Sequence, residues 1–118
     1  MTKEQKQLLT KDLCARLPYG VKFQGEDSNV YTLDAANYFA LQVEDVVFKP
    51  YLRPMSSMTE EEFIHYGATR EWKYVDNDHY EYFATLDTFD WLNSHHFDYR
   101  GLIKKGLALE APRGMYES

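Results

Sequence analysis

Apolar positions along this chain change period several times, and the changes mark its elements. Over residues 3–17, Leu8, Leu9, Leu13 and Leu17 recur at helical spacing while Lys3, Lys6, Gln7 and Lys11 occupy the other face, which predicts an amphipathic helix. Pro18 and Gly20 end it. Residues 21–24 and 29–34 read as two short strands, joined by a hairpin turn at Gly25-Glu26-Asp27-Ser28. Residues 35–38 are weakly patterned, and Leu41, Val43, Val46 and Phe48 predict a further strand. Pro50 and Pro54 then bracket Tyr51-Leu52-Arg53 and predict an extended segment excluded from the middle of a sheet, because proline offers no N–H to a ladder.

The second half is punctuated more sharply. Thr59 followed by Glu60, Glu61 and Glu62 is a capping box whose acidic run also suits the helix dipole, predicting a helix over 60–66 that closes at Gly67. Residues 71–75 and 79–84 read as a second hairpin around Asp76-Asn77-Asp78, with Trp72 and Tyr74 on one face of the first arm and Tyr80 and Tyr82 on one face of the second. Asp87 predicts the next N-cap, with Asp90 at N3, Leu86 stapled onto Trp91, and a helix running to His96. A tight turn, Leu102, Ile103, Gly106, an extended 107–109 and a fraying end complete the chain. Helices and strands are interspersed without a βαβ rhythm. The expected fold is therefore a single α+β domain over 1–118, its small, mainly antiparallel sheet covered by the N-terminal helix and one or two short helices.

Composition narrows the function classes. At 118 residues the chain fits one core, and a 44% hydrophobic share argues against general disorder. Ten tyrosines suggest a sheet with one half-exposed face, or a contact surface. A net charge of −6 argues against nonspecific nucleic-acid binding, which needs clustered cations, although Lys49, Arg53, Arg100, Lys104, Lys105 and Arg113 could form a local basic patch. The lone Cys14 excludes an internal disulfide and any cysteine-based zinc site, and within a helix it reads as a buried thiol. The opening residues lack a signal-peptide apolar core, and no apolar run is long enough for a membrane span, so a cytoplasmic protein without membrane contact is expected.

Three places carry candidate chemistry. His95, His96 and Asp98 are residue types that bind metals or move protons, but adjacent helical residues point about 100° apart, so both imidazoles cannot face one metal. Capping of a helix end by histidine is the favoured account of them. Asp98-Tyr99-Arg100 could clamp an anion through the guanidinium, or form an Asp98–Arg100 or Arg53–Asp98 pair. Tyr51, Arg53, Met55 and Met58 combine a fixed extended backbone with adaptable apolar contact, which suits a partner-binding edge or a specified loop. Asp76-Asn77-Asp78 fails as a calcium loop, because Glu81 stands where glycine is needed, and reads as a turn. No phosphate-binding glycine loop, nucleophile elbow or Cys/His pairing is present, and no metal or cofactor is implied.

LCARLPYGVKF (13–23), FKPYLRPMSSMTEEE (48–62) and WLNSHHFDYRGLIKKGLALEAP (91–112) together resemble a family of small uncharacterised proteins of anaerobic gut bacteria, their phages and mobile elements. The matching segments cover about two fifths of the chain. The resemblance implies only a context, a cytoplasmic accessory gene of prophage type, and transfers no residue role. The functional expectation is a noncatalytic module that binds another protein through residues 50–58 and 95–100. The alternatives are a small-ligand binder or enzyme in which His95, His96, Asp98 and Arg100 converge on one pocket, and an acidic nucleic-acid mimic.

Overall fold

The computed structural model describes residues 2–43, 48–77 and 79–116, with the backbone alone for 41–43. It is an α+β fold of four helices, a four-stranded sheet and a separate two-stranded sheet among these residues. Helix α1 (Lys3–Arg16) starts at Thr2, whose hydroxyl accepts from the Gln5 amide while the Gln5 side chain takes the Thr2 N–H. Its inward face is Leu9, Asp12, Leu13 and Arg16, all buried, so Cys14 points outward and is exposed rather than buried as expected. Two of those four inward residues carry charge.

Strands β1 (Lys22–Gln24) and β2 (Val30–Thr32) form the expected antiparallel hairpin. Its turn places Ser28 at φ 66°, and a Cβ on Gly25 would lie 2.9 Å from the Tyr31 ring. At Leu41 and Val43, where a strand was expected, the chain is instead helical, in α2 (Ala35–Val43). Asp34 and Asn37 exchange side chain-to-backbone hydrogen bonds at 2.9 and 2.7 Å, a cap that starts the helix, and Ala35 and Ala36 favour it. Val46 lies outside the described residues, and Phe48 precedes the next strand with its ring 4.6 Å from that of Phe23.

Strand β3 (Lys49–Leu52) sits inside the sheet, between β1 and a last strand, β6 (Leu109–Glu110), in the order β2-β1-β3-β6, contrary to the expectation from its proline. Phe23 of β1 lies opposite Pro50, and β6 joins in parallel only from Tyr51 onward. The Leu52 carbonyl accepts from Ala111 on the β6 side, and alternation turns the Pro50 nitrogen to that same side, before β6 begins. Pro50 is therefore never asked for the N–H it lacks.

The Thr59–Glu62 box starts α3 (Glu60–Thr69) as expected, but the helix passes through Gly67 for two more residues. The glycine is a poor helix former, not an obligatory stop, and the chain turns at Arg70 straight into β4 (Glu71–Asp76). With β5 (His79–Phe83) it makes the second expected hairpin. Helix α4 (Leu86–Ser94) is capped by Thr85 and Thr88, not by Asp87 and Asp90, and ends two residues before His96. Leu86 is 83% exposed, so no staple onto Trp91 forms. The Thr85 and Thr88 hydroxyls both donate to the Thr69 carbonyl at 2.9 Å, tying the helix that precedes the hairpin to the helix that follows it.

The core joins Leu9 and Leu13 of α1 to Val21, Phe23, Leu33, Leu52, Leu102 and Leu107. Each such side chain contributes about 1.5–3 kcal/mol when fully buried. The end of the chain does not fray as expected up to Tyr116. Its hydroxyl accepts from the Lys22 N–H at 2.8 Å and donates to the Tyr51 carbonyl at 2.6 Å, standing in for a ladder bond between β1 and β3.

Asp12 and Arg16 are both fully buried and joined twice, Nε to Oδ2 at 2.8 Å and Nη2 to Oδ1 at 3.1 Å. Removing one buried partner strands the other charge. Asp12→Ala is expected to lower unfolding free energy by about 3–5 kcal/mol in urea titration, and Asp12→Leu/Arg16→Met to recover part of that loss. A change below about 1 kcal/mol in the single variant would show that the pair is dispensable.

Candidate functional site

The segment with the densest chemistry begins where α4 stops. His95 is its C-cap, the His96 N–H donates to the Asn93 carbonyl at 3.1 Å, and the Phe97 N–H to the Leu92 carbonyl at 3.0 Å. This crossed pair of bonds needs a left-handed residue between them, and His96 supplies it at φ 64°. Glycine is usual there, and a residue with a Cβ is disfavoured by about 1 kcal/mol or more. The strain is held by packing: the imidazole is only 9% exposed and stacks on Tyr116 with ring centroids 3.8 Å apart.

Beyond His96 the chain runs beside β3's extension. The Arg53 N–H donates to the His96 carbonyl at 2.7 Å and the Asp98 N–H to the Arg53 carbonyl at 2.8 Å. Asp98 spends both carboxylate oxygens on backbone, accepting from Leu102 at 2.8 Å and Ile103 at 3.0 Å, so it pairs with neither Arg53 nor Arg100 as expected. Arg100 reaches α1 instead, its Nε 3.1 Å from Asp12, and donates to the Tyr99 hydroxyl, which in turn donates to Asn93. From the other side Arg16 donates to the Phe97 carbonyl at 2.7 Å. The carboxylate that the sequence reading paired with arginine is needed to hold the turn, and Asp12 replaces it as counterion.

Arg53 turns toward α3. Its two terminal nitrogens meet both Glu62 oxygens at 2.7 Å, and its guanidinium lies 4.2 Å over the Phe97 ring. Arg53 holds the Glu62 carboxyl down to about 2, helped by the Thr59 amide. His95 is 3.7 Å from the same carboxylate, yet its pKa is lowered: burial outweighs the Glu62 charge, with Arg53 and His65 opposing protonation as well. Glu62 is already neutralised by Arg53, so the His95 contact is not an ion pair at neutral pH. His96 is pushed down to about 4, by burial first and then by Arg16 and its other cationic neighbours.

A cavity of about 760 Å³ lies beside this pair, lined by Arg53, Glu62, His95, Arg113 and Tyr116 among others. Arg53 and Glu62 in its wall already satisfy each other, and the Ser57 hydroxyl is tied to the Pro54 carbonyl at 2.7 Å. The candidate residues thus separate into distinct surroundings. Arg53 and His95 share the cavity; His96 stacks on Tyr116, whose hydroxyl also holds the Tyr51 carbonyl; Met55 and Met58 are half-buried on either side of the exposed Ser56 and Ser57; Asp98, Tyr99 and Arg100 serve the turn and α1. The described residues contain no group of three or more His, Cys, Asp or Glu able to hold a metal, and no helix long and apolar enough to cross a membrane.

The surface that the sequence reading undervalued is the β4–β5 hairpin. Every described residue of both strands is exposed. Trp72 and Tyr82 stand opposite each other, ring centroids 3.8 Å apart, and Tyr74 and Tyr80 at 5.5 Å, so four rings form one continuous face. Trp72 is 58% and Tyr74 60% exposed. Phe63 and Ile64 of α3 border the same face across a shallow hollow of about 570 Å³, and Arg70 stacks on Tyr66 and Tyr82 at its edge. The alternation Trp-Lys-Tyr and Tyr-Glu-Tyr carried this signal; it does not say whether anything within the chain covers the rings.

Two of the shifted groups, His96 and Glu62, set successive windows of acid unfolding, and His95 adds to the first in the same direction as His96. A neutral His96 means that the unfolded chain takes up the extra proton, so stability is complete above pH 6.5 and falls as pH drops toward 4. Glu62 acts lower, its contribution intact above 4.5 and lost toward 2. We expect His96→Asn to flatten the upper limb, worth on the order of 3 kcal/mol, and Glu62→Gln the lower, on the order of 2 kcal/mol after solvent screening. Urea midpoints at half-unit pH steps test this, and an unchanged upper limb in His96→Asn would place the titrating group elsewhere.

Comparison with family models, curated proteins and solved structures gives no match for this chain.

Proposed function

We propose that the protein is a noncatalytic interaction module that binds another polypeptide through the aromatic face of β4–β5 and the adjoining face of α3. The observation that carries this reading is the uncovered ring face of Trp72, Tyr74, Tyr80 and Tyr82. A two-stranded hairpin alone is marginally stable in water, and large contiguous exposed apolar faces on soluble proteins mark interaction sites. Tyrosine and tryptophan are the side chains that protein interfaces favour, combining large contact area with few rotatable bonds. The cavity beside Arg53 is a weaker candidate, because its arginine and carboxylate already answer each other.

The test compares two variants as bait in native-host lysate treated with nuclease. Tyr74→Thr/Tyr80→Thr removes two rings but keeps a β-branched cross-strand pair, and Lys73→Ser/Glu81→Ser alters the opposite face. Polypeptides retained by the wild type and by the opposite-face variant, but lost with the ring variant, are the expected result. Recovery of the same set by the ring variant would remove the hairpin face from the function.

A further inference from the structure

We infer that the polypeptide bound by the hairpin presents one side-chain carboxylate to Arg70, at the end of a short run of alternating apolar residues laid along the four rings. The inference rests on the interaction-module reading and names the chemistry of its partner. Arg70 caps α3 in extended backbone, φ −92° and ψ 156°, so alternation puts it on the same face as Trp72 and Tyr74. Its guanidinium carbon lies 4.6 Å from the centre of the Tyr66 ring and 4.7 Å from that of Tyr82. Stacking engages the flat faces of the cation, while its N–H donors lie in the plane and stay unused. Nε is buried without an acceptor, and the side chain makes no hydrogen bond or ion pair among the described residues. Arg16, Arg53 and Arg100, by contrast, each hold a carboxylate.

No carboxylate of the hairpin shares that face. The rows Glu71–Phe83 and Lys73–Glu81 turn to the other side, as do Asp76 and His79 past the bulge. The α3 carboxylates lie in its first turn, and Glu62 is already held by Arg53. The hairpin's ring face therefore combines four aromatic side chains with one unanswered cation, and a carboxylate is the complement it lacks. Spacing sets the order of the partner's residues. Arg70, the Trp72–Tyr82 row and the Tyr74–Tyr80 row follow at two-residue steps of about 7 Å, the distance between same-face side chains of an extended chain. The hollow of about 570 Å³ that includes Arg70, Ile64 and Trp72 in its lining seats the apolar side chain nearest the carboxylate, and a Cβ built on Gly67 there would meet nothing within 4 Å. The chain's own charge of −6 repels a polyanion at long range, whereas a single contacting carboxylate lies inside the screening length of about 8 Å. One acid among apolar residues fits this face better than an acidic run or a nucleic-acid strand.

Random peptides displayed on phage and selected on the full chain test this. Enriched sequences should carry Asp or Glu at one end of an alternating apolar run, and Tyr74→Thr/Tyr80→Thr should no longer retain them. Synthetic copies with both ends blocked, so that no terminal carboxylate contributes, should weaken about tenfold or more in calorimetric titration when that Asp or Glu becomes its amide. This comparison leaves the protein unaltered. Arg70→Gln should erase the difference between the acid and amide peptides, and Arg70→Glu should prefer a peptide with Lys in place of the acid.

Ring-dependent peptides that bind equally as acid and amide overturn the inference and leave the interaction module standing. Self-association of the chain that is lost in Tyr74→Thr/Tyr80→Thr does the same, by assigning the rings to a second copy. Peptides held equally by the ring variant, or a selection that enriches none, overturn both. Tighter binding of a single-stranded thymidine oligomer than of any selected peptide also overturns both, and gives the rings to nucleic acid.

Discussion

The buried pairing of Asp12 with Arg16 is the constraint on which the rest of the structure hangs. A helix that turns two charges inward must answer them, and the answers come from a distant part of the chain, the Phe97 carbonyl and the Arg100 guanidinium. Those contacts fix the turn after α4. The turn in turn supplies the backbone that lengthens β3 through Arg53, and the direction of Arg53 sets Glu62 and the start of α3. An apolar pair at positions 12 and 16 would bury as well, yet it would specify neither the partner nor its orientation. Charge inside this fold works mainly as an address.

Elements whose determinants are local were legible in the sequence. The Thr59–Glu62 box, both hairpins and the apolar spacing of α1 each depend on residues close to what they specify, and each is present. What escaped depends on contacts far along the chain. Pro50 reads as an edge residue until the late start of β6 relieves it of its missing N–H. His96 occupies a position where glycine would have announced the helix ending, and only the Tyr116 ring, twenty residues on, makes histidine tenable there. The side chains of the candidate site were legible as chemistry but not as geometry. Asp98 and Arg100 adjoin in sequence and look like a pair, while the fold gives one to the backbone and the other to α1.

The molecule divides into unequal parts. One, built on α1 and the four-stranded sheet, contains nearly every fully buried apolar side chain. The other, from α3 through the hairpin, buries little, and is fastened mainly by Arg53 at one end and by the threonine hydroxyls on Thr69 at the other. Regions with few buried contacts and exposed backbone bonds open at low free energy, so amide exchange should be graded between the two parts. A rigid base with a lightly held, aromatic-rich extension is a suitable division of labour for a binding protein, because adapting the extension does not disturb the core.

The interposed Tyr116 hydroxyl also bears on the order in which the chain folds. It links residues 94 positions apart, and the Arg100–Asp12 contact links residues 88 apart. Closing loops of that length costs entropy before any contact repays it, so the central sheet completes late. The β4–β5 hairpin needs only its own turn and forms on a scale of about 1–10 μs. During refolding the four aromatic rings are therefore presented together before the core has closed beside them. The surface offered to partners is also the surface offered to misassembly, and the nascent chain is at greatest risk of aggregation in the interval before Tyr116 locks the sheet.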